Sequence, residues 1–132
     1  MRVRFQEVDL LEVVWHGHYV SYFEEGRLGF GEQFGFSYQD VLAAGFIVPV
    51  VHLELDYLAP ARFGDRLTVR ARLHPEPAAR VSFSYVVARG EQVLATGRTV
   101  QIFTDPEGQL LMTRPPYYEE FLAKWQDALI QP

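Results

Sequence analysis

The segment Gly17-His18-Tyr19-Val20-Ser21-Tyr22-Phe23-Glu24-Glu25-Gly26-Arg27-Leu28-Gly29-Phe30-Gly31-Glu32-Gln33-Phe34 decides how the rest of the chain is read. Tyr19, Tyr22, Phe23, Gly26, Phe30 and Phe34 recur at helical spacing near one face. The apolar arc is wide, which predicts a helix buried on several sides. Three glycines interrupt it. Gly26, Gly29 and Gly31 each cost about 1 kcal/mol relative to Ala in a helix interior, a cost that close contact with surrounding backbone would offset.

The flanking sequence supplies that surround. Residues 2–8 alternate and predict a first strand, and residues 9–16 follow neither period and read as a loop. Ser37 to Ala44 predicts a short helix, with Ser37 and Asp40 spaced as a capping pair and Gly45 as a stop. Beyond it the chain is rich in strands. Residues 46–58 are apolar, with Pro49 pointing to a sheet edge or a bulge. In residues 66–73, Leu67, Val69, Ala71 and Leu73 alternate with Arg66, Thr68, Arg70 and Arg72. In residues 80–88, Val81, Phe83, Tyr85 and Val87 face one way. Arg89-Gly90-Glu91-Gln92 predicts a hairpin turn before a strand over 93–104, and Asp105-Pro106-Glu107-Gly108 a further turn. A short strand at 109–112 and a helix from Pro116 to Ile130 complete the order. One-sided strands and a broadly apolar helix in so short a chain imply an α+β domain spanning 1–132, its antiparallel sheet curled around the helix. The exposed sheet edge favours association of copies.

Composition limits the function. The 132 residues carry a net charge of −5, which argues against nucleic acid as a partner. No apolar run is long enough for a membrane span, and the N-terminus lacks the apolar stretch of a signal peptide, so a cytoplasmic location is expected. The chain has no Cys and no Asn, two Met, and eleven Arg among its twelve basic residues. That bias is also expected of a thermophile.

The chemistry is concentrated in Asp9-Leu10-Leu11-Glu12-Val13-Val14-Trp15-His16-Gly17-His18-Tyr19. This places a carboxylate and a histidine just before a helix N-terminus. The free N–H groups there can stabilise a developing oxyanion, and a carboxylate facing them can act as a general base or nucleophile. The same Asp9 equally suits a turn or cap. His16, His18 and His52 make only a weak metal pattern, because residues two apart do not share a helix face; no metal and no cofactor is expected. No nucleophile elbow, dinucleotide fingerprint or phosphate loop is present.

The stretch from Asp9 to Tyr19, continued by Tyr22-Phe23-Glu24-Glu25-Gly26-Arg27, resembles the signature of the 4-hydroxybenzoyl-CoA thioesterase family. Within it the resemblance is to the tol-pal-associated short-chain acyl-CoA thioesterases. The family pattern is approximately D-x-x-G-V-V-[YW]-[HY]-x-N-Y followed by F-E-x-A-R. The likeness extends through Gly35-Phe36-Ser37-Tyr38, Pro49-Val50-Val51, Tyr57-Leu58-Ala59-Pro60-Ala61-Arg62 and Asp65-Arg66-Leu67-Thr68-Val69. It implies the hotdog fold, acyl-CoA hydrolysis without a cofactor, and a homodimer or homotetramer with its active site at the dimer interface. The family's catalytic carboxylate falls on Asp9, and the residue whose backbone N–H polarises the thioester carbonyl falls on His16. Substrate-binding candidates are Trp15, Gly17, Tyr19 and Phe23, and Arg62, Arg80 and Arg98 are candidates for the phosphates of CoA. Three positions depart from the pattern: Glu12 replaces Gly, His18 replaces Asn, and Phe5 stands where Tyr is frequent. A non-catalytic acyl-CoA or acyl-carrier-protein binding module is the alternative reading, and a hotdog dehydratase a third, although the His and Asp/Glu arrangement of those enzymes is missing.

Overall fold

Period-2 alternation in the second half of the chain builds four antiparallel strands in the computed structural model, which describes residues 1–130. They are β1 (Val50–Tyr57), β2 (Thr68–His74), β3 (Arg80–Arg89) and β4 (Gln92–Ile102), in the spatial order β1-β4-β3-β2. Gly90-Glu91 makes the two-residue turn between β3 and β4, with Gly90 at φ 60°, a conformation that glycine adopts without steric cost. Leu73, Val81, Phe83, Tyr85 and Val87 are buried on the inner face, while Arg70 and Arg72 stand exposed on the outer one.

Helix α1 (His18–Phe34) lies along the inner face, flanked by α2 (Tyr38–Ala43) and α3 (Pro116–Ile130). Phe23 stacks on Tyr85 with ring centroids 4.5 Å apart, and Phe30 meets Phe83 edge-on at 5.1 Å. Gly97 on β4 allows this approach, since a Cβ there would run into the Phe23 ring and the Glu54 carbonyl. Phe36, Tyr118 and Phe121 close the far end of the core. This sheet wrapped on a central helix is the α+β hotdog arrangement expected from the sequence.

Three local expectations are corrected. Residues 2–8 do not form a strand: Arg2 makes a single bridge to Arg66, and Phe5–Glu7 is a 3-10 turn. The Glu7 side chain accepts the Arg4 backbone N–H at 2.8 Å and turns the chain there. The segment 109–112 is reduced to one bridge, Leu110 with Thr104. Helix α1 is buried along one side only, because Val20, Leu28 and Gly29 face outward. Its glycines accordingly differ. Gly31 lies against the Phe36 carbonyl and Gly26 against Val69 and Ala71, whereas Gly29 has open space around it.

Other expectations hold. Ser37 and Asp40 form the reciprocal capping box of α2, and Pro49 precedes an edge strand with a bulge between Val50 and His52. No helix among the described residues is long and apolar enough to cross a membrane.

Candidate active site at the mouth of the central helix

Residues 7–15 fold as a narrow ribbon leading into α1. Trp15 N–H donates to the Glu7 carbonyl at 2.9 Å, Val8 pairs with Val14, and Asp9 N–H donates to the Val13 carbonyl at 2.9 Å. Asp9 opens the turn at the ribbon's end, where its Oδ1 accepts the Leu11 N–H at 2.8 Å. Glu12 completes that turn at φ 64°, the one non-glycine residue with positive φ among those described. The Gly of the family pattern has been replaced, but the left-handed backbone remains.

The ribbon delivers Trp15-His16-Gly17 to the start of α1. Gly17 occupies the N-cap position with no side-chain cap, and the amides of His16 and Gly17 find no hydrogen-bond acceptor among the described residues. The helix therefore begins with free donors at its positive end. The Trp15 ring covers Gly17, where a Cβ would collide with it, and packs against His16 and His18 at 4.8 and 5.6 Å.

The helix mouth is tied to the segment following β1. Tyr57 Oη donates to the His16 carbonyl at 2.8 Å, and the buried Tyr19 hydroxyl accepts the Ala61 N–H at 3.0 Å. Val14 N–H donates to the Ala61 carbonyl at 2.8 Å. These contacts frame an open cleft of about 320 Å³ lined by Val13, His16, Tyr19, Tyr57, Leu58 and Pro60 among others. Burial, then the neighbouring Tyr19, holds the Tyr57 phenol above its usual range, so it stays a neutral donor. Beneath the ribbon, Glu7 is buried. Burial pushes its carboxyl up, but the bonds from the Arg4 backbone and guanidinium, with the nearby His18, outweigh that and hold it below the usual range.

Of the predicted residues His16 and Tyr19 line the cleft, whereas Asp9 at the ribbon's end and Gly17 at the helix start are not part of its lining. Asp9 sits opposite Val13, two residues along the ribbon from the Glu7–Trp15 level, a distance of roughly 7 Å at strand rise. No hydrogen bond joins it to His16, which leaves a gap between carboxylate and free amides. Phe23 is fully buried in the core and does not line the cleft, and Trp15 stands half-exposed beside it. The three arginines are not gathered. Arg62 adjoins the ribbon through its bridge to Val13, Arg80 is paired with Glu76 at the far end of β3, and Arg98 points from the outer face of β4, opposite Ser84 and Glu54. Among the described residues no group of three or more His, Cys, Asp or Glu is arranged to hold a metal ion. Sequence reasoning missed Tyr57 and Ala61 as framing residues. Their only signal lay in the Tyr57-Leu58-Ala59-Pro60-Ala61-Arg62 run, which carries no catalytic pattern.

Comparison with known proteins agrees with this fold. Residues 3–126 match the thioesterase-like superfamily. A hypothetical protein, TT1821, from Thermus thermophilus superposes with a TM-score of 0.84 at 35% identity, covering 94% of this chain and 95% of that one. The DHNA-CoA thioesterase of Staphylococcus aureus superposes with a TM-score of 0.84 at 25% identity, over 96% and 88% of the two chains. The acyl-CoA thioester hydrolase YbgC of Escherichia coli is 27% identical over 94 residues, 71% of this chain and 70% of that protein. With the fold in place and the family model matched over residues 3–126, the chain belongs to the thioesterase-like superfamily and is a hotdog-fold thioester hydrolase.

Proposed function

We propose that the protein hydrolyses acyl-CoA thioesters at the cleft between the Asp9 ribbon and the N-terminus of α1. The observation that carries this reading is the pair of free amides, His16 and Gly17, at the start of α1, with His16 on the wall of an apolar cleft and Asp9 at the end of the ribbon that leads to it. A thioester carbonyl in that gap directs its oxygen to the His16 N–H and its carbon toward Asp9. Negative charge that develops on the oxygen then meets fixed donors and the positive end of a helix, which lowers the barrier to addition. Asp9 serves the attack in one of two ways: it accepts a proton from water as the water oxygen bonds to carbon, or its carboxylate bonds to carbon itself. Collapse of the adduct breaks the C–S bond, and the thiolate of CoA leaves and takes up a proton.

Trp15, Gly17 and Tyr19 shape the entrance for the acyl group, and Phe23, buried in the core against Tyr85, takes no part in it. Arg62, next to the ribbon, is the nearest of the three arginines to the cleft and is assigned to the phosphates of CoA. The active enzyme is a homodimer or homotetramer. β1 is a sheet edge, and its last residue, Tyr57, is also a cleft wall; a second copy on that edge stands beside the cleft.

Asp9→Asn tests the assignment cleanly. An amide keeps the oxygen that accepts the Leu11 N–H, so the turn survives while the charge is removed. Turnover of acyl-CoA, read as free thiol, should fall by about 100-fold or more with an unchanged circular dichroism spectrum. Activity equal to that of the unmodified enzyme removes Asp9 from the mechanism.

A further inference from the structure

The start of α1 is gripped by a side chain that takes no part in the chemistry itself. Tyr57 Oη donates to the His16 carbonyl at 2.8 Å, and that carbonyl finds no other partner among the described residues. The His16 carbonyl and the Gly17 amide belong to one peptide group. It is planar and trans, so its C=O and N–H point in opposite directions. Gly17 has helical dihedrals, φ −68° and ψ −22°, and helical amides point toward the N-terminus while the carbonyls point back along the axis. A bond that fixes the His16 carbonyl therefore fixes the direction in which the Gly17 N–H leaves the helix mouth.

Little else constrains that peptide. Gly17 has no side chain and no cap bond, and its amide has no acceptor among the described residues; glycine also leaves its own torsions soft. The Trp15 ring packs over it, which blocks a side chain but does not aim an N–H. Tyr57, by contrast, stands on fixed ground. It ends β1 in register with Ala95 of β4, and the next two amides, Leu58 and Ala59, both donate to the Leu94 carbonyl, at 2.9 and 3.1 Å. Leu94 and Ala95 are fully buried. The Tyr57 ring meets the Tyr19 ring edge-on at 5.2 Å and the His16 ring at 6.5 Å, which sets the direction of its hydroxyl. A carbonyl that accepts a hydrogen bond also makes the N–H of its own peptide a stronger donor, because linked bonds polarise one another.

We infer that Tyr57 is a positioning residue for thioester hydrolysis: it holds the His16–Gly17 peptide so that the Gly17 N–H stands beside the His16 N–H as a second donor to the oxyanion. This role rests on the helix-mouth assignment of the active site proposed above. The Tyr57 hydroxyl keeps its proton and does not touch the reacting atoms; its effect passes through the peptide. The amides act on charge that develops only in the transition state, so loss of the clamp lowers kcat and leaves KM alone.

Acyl-CoA turnover, read as free thiol, and amide NMR of the isotope-labelled full chain test it together. Tyr57→Phe keeps the ring and removes the donor. Its kcat should fall about tenfold or more, with KM within about twofold of wild type. Its Gly17 amide resonance should move upfield in both proton and nitrogen dimensions, further than any other glycine amide. Tyr117→Phe is the control. It deletes the same kind of bond, a phenol donating to the Gly35 carbonyl at 2.6 Å just past the other end of α1, and should keep wild-type kcat. Wild-type kcat in Tyr57→Phe, a loss carried by KM alone, an equal loss in Tyr117→Phe, or an unmoved Gly17 amide overturns the role. A wild-type chain that releases no thiol from acyl-CoA removes the thioesterase reading instead, and the Gly17 amide then still decides whether Tyr57 holds the peptide.

Discussion

Glu12 shows how one residue can depart from a pattern while the backbone does not. At φ 64° it holds a conformation that costs an L-residue about 1–2 kcal/mol, and it does so at the turn that positions Asp9. Glu12→Gly removes that strain and restores roughly 0.5–1 kcal/mol of unfolded-state entropy against folding. The net expectation is a stability gain of up to about 1 kcal/mol by denaturant titration, with turnover retained. Glu12→Val puts a β-branched residue at the same φ and should lose more than about 1 kcal/mol. A lower midpoint for the glycine variant would show that the Glu12 side chain stabilises the turn by some other route. Glu7, at the other end of the ribbon, predicts a pH signature. Its carboxyl is held below the usual range in the fold, so the stability it contributes is present above its unfolded value of about 4.3. That contribution is lost as pH falls through the lower folded value. Glu7→Gln should therefore be less stable than wild type at pH 7, and the difference should shrink below about pH 4 in urea melts. Asp9 and His16 stand out in the sequence through the family resemblance of the Asp9–Tyr19 stretch, whereas Tyr57 and Ala61 reach the helix mouth through folding contacts 41 and 42 residues away in sequence.

At the scale of elements, periodicity predicted what packing enforces. The alternating faces of β2, β3 and β4, the capping box of α2 and the run of α3 from Pro116 to Ile130 agree with expectation because each is a local pattern backed by the core. The first strand failed because alternation over residues 2–8 carries no information about the Glu7 side chain folding back to Arg4. The three α1 glycines could not be ranked from sequence, since each cost depends on its neighbour across space. The structure ranks them. Gly29 meets nothing, so Gly29→Ala should stabilise the isolated protomer by about 1 kcal/mol through helix propensity. A Cβ at Gly31 would stand 2.8 Å from the Phe36 carbonyl oxygen, and Gly31→Ala should cost about 1–3 kcal/mol through overpacking against backbone. At Gly26 the nearest atom is a Val69 methyl at 3.0 Å, which can give way, and Gly26→Ala should fall between the two. Thermal melts of the three variants check the order, and a Gly31 variant as stable as the Gly29 one would contradict it.

At the scale of the molecule, the helix predicted to be buried on several sides is covered on one, and the surface left over lies where an edge strand is also unpaired. Val20 and Leu28 on α1 and Val51, Leu53 and Tyr57 on β1 are all more than one-third exposed, while the edge of β1 presents its backbone groups unpaired. A second copy adding its own β1 in antiparallel register satisfies both surfaces through a two-fold axis. Because Tyr57 ends β1 and holds the His16 carbonyl at 2.8 Å, such an interface runs directly into the cleft. Assembly and catalysis are then linked, and Leu53→Arg tests the link. A charge in the middle of β1 opposes its own copy across the axis, so sedimentation should shift from a multiple of the 15.2 kDa chain to the single chain. The side chain it replaces is already 37% exposed, so the folded protomer should persist by circular dichroism. With the cleft open on one side, acyl-CoA turnover should fall at least tenfold, and it should recover in part at protein concentrations high enough to restore the assembly by mass action. A dissociated Leu53→Arg protein with wild-type turnover would place the whole active site within one protomer.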